Sequence, residues 1–154
     1  MTTQNLPSAI PGMALVLGLA GLIPFAAGAL ALWAPLPVLD AALGLKLVIG
    51  YGTLILSFLG GIRWGTALGP YATSRQGGEL AGSVLGSLAG LAALFIPSVP
   101  ALTLLIAGFL MQALWDVTSV EAGRLPAWFG RLRMLLTAGA VISLIATLVA
   151  VIVS

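Results

Sequence analysis

An all-α integral membrane fold, a bundle of five transmembrane helices, is what this 154-residue chain predicts. Three observations carry that reading. First, 60% of the residues are hydrophobic and only 6% are charged, where soluble domains carry about 25%. Ten charges cannot build a water-facing surface on a chain of this length, so lipid must cover most of it. Second, apolar stretches of about 20 residues, the length that crosses a bilayer, recur along the sequence. Third, the basic residues fall on one side once those stretches are threaded in alternating directions.

Residues Met1 to Pro11 hold no Lys or Arg, so the basic region of a cleaved signal is missing and a retained first helix is expected. The first span covers about 12–33. Pro24 lies near its middle, where the missing N–H frees the carbonyl of Ala20 and kinks the helix, as a static bend or as a hinge. The second span covers about 42–62, with Lys46 near its start able to snorkel outward. The third covers about 80–96, and the fourth about 101–115. Pro97-Ser98-Val99-Pro100 between them cannot continue a straight helix, which reads as a tight helical hairpin. The fifth covers about 134–153 and contains no charge.

Glycines mark the helix faces that pack. Gly78, Gly82, Gly86 and Gly90 are each four residues apart, with Ser83 and Ser87 beside them. Such a row is a smooth stripe that admits a neighbouring backbone, within the bundle or from a second copy. Gly60, Gly61 and Gly65 add packing positions at the end of the second span.

Orientation follows from charge. Arg63, Arg75, Arg124, Arg131 and Arg133 share one side, and only Lys46 lies on the other. Five of six basic residues on one side is a positive-inside bias, so the N-terminus is expected in the cytoplasm and the C-terminus outside. Trp64, Trp115 and Trp128 fall at the same boundary, as interface anchors do, while Trp33 marks the outer one.

Composition narrows the chemistry. There is no cysteine and no histidine. That removes thiolate nucleophiles, disulfides and the commonest general base and metal ligand, while the redox compartment stays open. No acidic or basic group falls at a span midplane, where ion-coupled transport places them. A net charge of +2, scattered along the chain, does not suggest nucleic acid. No cofactor and no metal is expected, and an enzyme is disfavoured. The polar groups that remain converge on the inner boundary: Arg63, Trp64, Gln112, Asp116, Trp128, Phe129, Arg131 and Arg133. Gln112 and Asp116 are four apart on one helix face. The second and fourth spans run parallel, so their inner ends sit level and Arg63 is expected to face Asp116 in a fork-geometry pair. Pro126 suits the first turn of a helix that starts in the headgroup layer and runs into the fifth span. On it Phe129, Arg133 and Thr137 share one face, and Trp128, Leu132 and Leu136 another. Positive-inside anchoring explains this cluster, and so does a site for an anionic headgroup or amphipathic ligand.

Two stretches also carry a family pattern. Phe58-Leu59-Gly60-Gly61-Ile62-Arg63-Trp64-Gly65 reads F-L-G-G-x-x-W-G, and Leu125 to Thr137 reads L-P-x-W-F-x-x-L-R-x-x-L-T. With Leu19-Ala20-Gly21-Leu22-Ile23-Pro24-Phe25 and the hydrophobic layout, the chain resembles the transmembrane protein 69 family, also catalogued as domain of unknown function 3429. The resemblance implies a bacterial inner-membrane protein with relatives in the mitochondrial inner membrane, and it brings no reaction. The pattern residues it singles out are Gly60, Gly61, Trp64, Gly65, Pro126, Trp128, Phe129, Arg133 and Thr137.

Function is then expected to be non-enzymatic: an accessory or assembly component of an inner-membrane complex, with membrane lipid and another membrane protein or itself as partners. The alternative is a binder or carrier of an amphiphile such as a lipid or quinone.

Overall fold

The computed structural model describes residues 9–34, 38–69 and 76–154; Arg75 lies outside them. They form α1 (Gly12–Ala20), α2 (Ile23–Trp33), α3 (Ala41–Leu68), α4 (Gln76–Ala93), α5 (Ser98–Glu121) and α6 (Ala127–Val153). The first two are halves of one broken helix, so the bundle has five. Four of the five are long and apolar enough to cross a membrane: Gly12–Trp33, α3, α5 and α6, with mean hydropathy of 2.2, 1.8, 1.7 and 2.6. The 18-residue α4 is less apolar, since Gln76 and Glu79 occupy its first turn.

The break between α1 and α2 has a local cause. Pro24 occupies the first turn of α2, where its missing N–H is tolerated, but it cannot donate to Ala20. The chain bridges the gap with a tightened turn. The Gly21 amide donates to the Leu17 carbonyl and the Leu22 amide to Leu19, each at 3.0 Å. Regular pairing resumes when Ala26 donates to Leu22 at 3.0 Å.

Expected boundaries move in all four later spans, and α3 runs on past the expected 62 to Leu68. Helix α4 begins at Gln76 and ends at Ala93, earlier at both ends than the expected 80–96. Helix α5 begins at Ser98, because Pro100 in a first turn costs no hydrogen bond. It then runs past Trp115 to Glu121, where Asp116 pairs with Arg133 of α6 and the Thr118 hydroxyl bonds back to the Trp115 carbonyl of its own helix. Helix α6 starts at Ala127 and continues unbroken through the fifth span. The α4–α5 link is a tight turn, as Pro97 and Pro100 predict, with the Leu94 and Phe95 amides donating back to Leu91 and Ala92 at 3.1 Å. Helix α3 is capped by the Asp40 carboxylate, which accepts from the Leu43 amide at 2.8 Å.

Between α5 and α6 the backbone turns at Gly123, whose φ of 71° favours glycine. There the Gly123 and Arg124 amides close the helix onto the Val120 and Ser119 carbonyls, both at 2.9 Å.

Consecutive helices pack antiparallel around a central α3. Gly28 of α2 lies against Gly44 and Val48, and Gly52 lies against Phe25. On the opposite side Gly60, Gly86 and Gly90 set α3 against α4, where they meet Ser83, Leu56 and Thr53 in turn. Gly52 and Gly108 bring α3 and α5 together in the same direction. The α3–α4 seam carries hydroxyl bonds as well: Thr53 donates to the Gly90 carbonyl at 2.9 Å, and the Ser57 and Ser87 hydroxyls meet at 2.9 Å. Phe25, Leu56, Leu102, Leu105, Phe109 and Leu144 fill the buried core.

The glycine row is therefore a seam within the chain from Gly82 to Gly90. It does not extend to Gly78, and Gly61 and Gly65 do not join it, for a Cβ at any of these three would meet nothing within 4 Å. Neighbouring positions on a helix point about 100° apart, so Gly60 faces α4 while Gly61 faces outward.

Gly60→Ala should therefore cost about 1–3 kcal/mol, because the added methyl meets the Ser83 carbonyl, backbone that cannot rotate aside. Gly61→Ala should be neutral. Thermal unfolding of the detergent-solubilised variants distinguishes them, and equal effects would contradict this packing.

Candidate functional site

Antiparallel packing brings the C-termini of α3 and α5 to the same end of the bundle as the N-termini of α1, α4 and α6. Among the described residues this end holds Arg63, Glu79, Asp116, Glu121, Arg124, Arg131 and Arg133, whereas Asp40 and Lys46 lie at the other. Five of these charged side chains sort into two ion-paired clusters, while Glu121 and Arg131 are exposed.

Glu79 is the centre of the first. Its Oε2 accepts from Arg63 Nε at 2.9 Å and from the Trp115 indole N–H at 2.7 Å, while Oε1 accepts from Arg124 Nη1 at 2.9 Å. Both guanidinium groups also lie over the Trp115 ring, 4.9 and 5.7 Å from its centroid. One carboxylate thus ties α3, α4, α5 and the α5–α6 link together with charge-assisted bonds. Room for Arg63 comes from Gly82, where a Cβ would stand 2.5 Å from the guanidinium carbon. An open groove of about 560 Å³ runs from Arg63, Gln112 and Trp115 along Gly86 and Gly108, between α4 and α5.

The second cluster is deeper. Arg133 Nε donates to Asp116 Oδ2 at 2.5 Å, with only 7% and 1% of the two side chains exposed. Gln112, one turn back on α5, reaches the Leu59 carbonyl at 3.4 Å.

The expected Arg63–Asp116 pair is not formed. Their helix ends are level, as parallel α3 and α5 require, but level ends do not fix facing sides. Arg63 points across α3 to α4, and Asp116 points from α5 to α6. Nor is Trp115 only an interface anchor, because its indole is a donor in the Glu79 cluster. Glu79 lies just outside the expected third span of 80–96 and has no role in the sequence reading, whereas the structure places it in the first turn of α4. The signal available was arithmetic: several arginines share this end with few acids, so each acid near a helix end has a cation to meet.

The remaining site residues separate. Trp64 and Arg131 face outward, away from both clusters. Trp128 and Phe129 are half-buried and pack edge to face, with centroids 6.0 Å apart. Together with Arg133 they line a cavity of about 400 Å³ bounded by α1, α2, α3 and α6, with Phe109 of α5 also on its wall. Gly18 and Gly21 lie on its wall where the first helix breaks, and Gly18 lets Leu132 and Leu136 of α6 pack close against that helix, since a Cβ there would meet Leu136 at 2.8 Å. Its wall is apolar apart from Arg133, Thr137 and Tyr51. Buried Arg133 Nη2 and Thr137 Oγ1 both lack a hydrogen-bond partner among the described residues. Unpaired buried donors are costly and uncommon.

Two variants separate the clusters energetically. Asp116→Asn should destabilise by about 3–5 kcal/mol, because it strands a buried guanidinium. Glu79→Gln should cost less, roughly 1–3 kcal/mol, since Arg63 and Arg124 can turn toward water. Chemical unfolding in mild detergent gives both values. A larger loss for Glu79→Gln would mean that the outer cluster is the structural one.

Comparison with known proteins adds identity to this geometry. Residues 10–149 match the family described as a protein of unknown function, DUF3429. The chain is 37% identical over 148 residues to transmembrane protein 69 of Xenopus tropicalis, an alignment covering 90% of this chain and 54% of that protein. The chain thus spans about half the length of the curated relative it matches. No solved structure matches it. The cavity-lining Trp128, Phe129, Arg133 and Thr137 belong to the pattern on which the resemblance rested, and with most of its length matched the chain belongs to the DUF3429, or transmembrane protein 69, family of multi-pass membrane proteins.

Proposed function

We propose that this protein is a non-enzymatic binder of a membrane amphiphile, held in the cavity between the broken first helix, α3 and α6. The observation that carries the reading is an apolar cavity lined by Arg133 and Thr137, two residues whose buried Nη2 and Oγ1 atoms have no hydrogen-bond partner among the described residues. Small-molecule sites have this composition, mostly apolar with a few polar groups that fix orientation. A cavity of about 400 Å³ accommodates a head and the first part of a chain. The lack of histidine and cysteine argues against catalysis there.

The binder sits in the membrane with five crossings, the charged end cytoplasmic and the C-terminus outside. Alternating helix directions and the concentration of arginines at one end support this arrangement. The membrane proposed for it is a bacterial inner membrane. A second reading, a component of a larger membrane assembly, is favoured by one observation. Gly61 and Gly65 leave the outer face of α3 bare beside exposed Trp64, open to a helix of another protein or of a second copy.

Native mass spectrometry of protein released gently from membranes should show a retained amphiphile. Leu136→Trp, which fills the cavity, should lose it while keeping its helical circular dichroism. Bare wild-type protein would sink the proposal. For topology, alkaline phosphatase fused after Ser154 should be active and a fluorescent protein there dark; the opposite pattern would reverse the orientation.

A further inference from the structure

We infer that the cavity selects a neutral, planar, carbonyl-bearing ring on an apolar tail, the chemistry of an isoprenoid quinone, in preference to an anionic lipid. This rests on the amphiphile reading above and narrows it.

Charge balance comes first. Arg133 looks like an anion site, but its charge is already matched by Asp116 through the 2.5 Å bond, with both side chains more than nine-tenths buried. A second anion against Arg133 would leave a net negative charge in a low-dielectric interior, which is strongly unfavourable. The guanidinium nevertheless keeps a donor to spare. Nη2 has no partner among the described residues, nor has Asp116 Oδ1, the second oxygen of its ion-pair partner, nor Thr137 Oγ1 one helical turn along the same face. Arg133 and Thr137 are buried, at 6% and 5% exposure, and both line the cavity. Two N–H or O–H donors without a net charge to neutralise suit an uncharged acceptor oxygen, the carbonyl of a ring or ester.

The wall then decides between ring and ester. Six of the chain's eleven aromatic side chains line this cavity: Phe25, Tyr51, Phe58, Phe109, Trp128 and Phe129. Five of them form two edge-to-face groups, and Phe58 stands apart. Buried Phe25 meets Tyr51 at 5.2 Å and Phe109 at 5.7 Å, and Trp128 meets Phe129 nearer the surface. Aromatic faces and edges suit a flat ring. A saturated acyl chain needs only Leu, Ile and Val, which the rest of the bundle supplies in plenty. The groove between α4 and α5 contrasts with this: Arg63 stands at its end, and its one aromatic is Trp115.

The test uses the full-length protein in nanodiscs of zwitterionic lipid. Decylubiquinone is titrated while tryptophan fluorescence is followed, with palmitate and an uncharged diacylglycerol as competitors. Saturable quenching is expected, most of it lost in Trp128→Phe because the other three tryptophans lie outside the cavity. Thr137→Val should weaken quinone binding by about five- to tenfold, the loss of one hydrogen bond, and Thr137→Ser should restore it. Palmitate and diacylglycerol should displace the quinone only at large excess. Displacement by palmitate or by diacylglycerol at equal concentration would overturn the ring selectivity and leave the amphiphile reading standing. No saturable binding of any of the three would overturn both.

Discussion

Close backbone approach along α3 is the constraint on which the rest of the bundle depends. Lipid tails are as apolar as leucine, so helices in a bilayer gain nothing by merely burying apolar surface against each other. They hold together where backbones come near and hydroxyls bond across the gap. On α3 that happens on three sides, toward α2 at Gly44, toward α4 at Gly60 and toward α5 at Gly52. With α3 fixed as the hub, α6 can reach the bundle only by packing on α2 and α5. The space left between α6 and the broken first helix is the cavity.

The charged end follows from that geometry. Once α3, α4 and α5 are locked at their glycines, Arg63 has Glu79 within reach and Asp116 has Arg133. The two acids thereby acquire different settings. Glu79 sits near the surface with three donors, so its cluster is a strap across helix ends. Asp116 lies almost fully buried with one arginine, and its carboxylate sets the electrical state of a residue that lines the cavity. A cation that looks available in the sequence is thus already neutralised in the fold.

Much of this was legible in the residues. Hydropathy located every helix, because lipid leaves one solution for backbone polar groups, and Pro24 and Pro97 marked the break and the hairpin for the reasons their rings dictate. Helix ends were less legible. The last turns of α5 read as loop because Asp116, Thr118, Ser119 and Glu121 are polar, and the Arg133 partner of Asp116 becomes visible only in three dimensions. The gathering of Gln112, Asp116, Trp128 and Arg133 at one end could be read from topology. The partition of Arg63 from Arg133 could not, since it depends on which side of each helix faces which neighbour. Glu79 escaped for a related reason: its significance lies in three donors from distant parts of the chain, two of them, Trp115 and Arg124, more than 30 residues away.

The brevity of α4 has a consequence for the surrounding lipid. At 18 residues it rises about 27 Å, short of the roughly 30 Å hydrocarbon thickness of a bilayer, while α3 and α6 have 28 and 27 residues. With α4 as a crossing, hydrophobic mismatch is confined to one flank of the protein. Lipids beside α4 must thin to meet Gln76 and Glu79 at one end and the Pro97 turn at the other, while those beside α6 need not. A crossing α4 of this length would impose an asymmetric dimple on the membrane, with headgroups drawn inward on the flank that carries the α4–α5 groove. Short-chain or loosely packed lipids would gather there, and thickness alone would bias which neighbours approach that side.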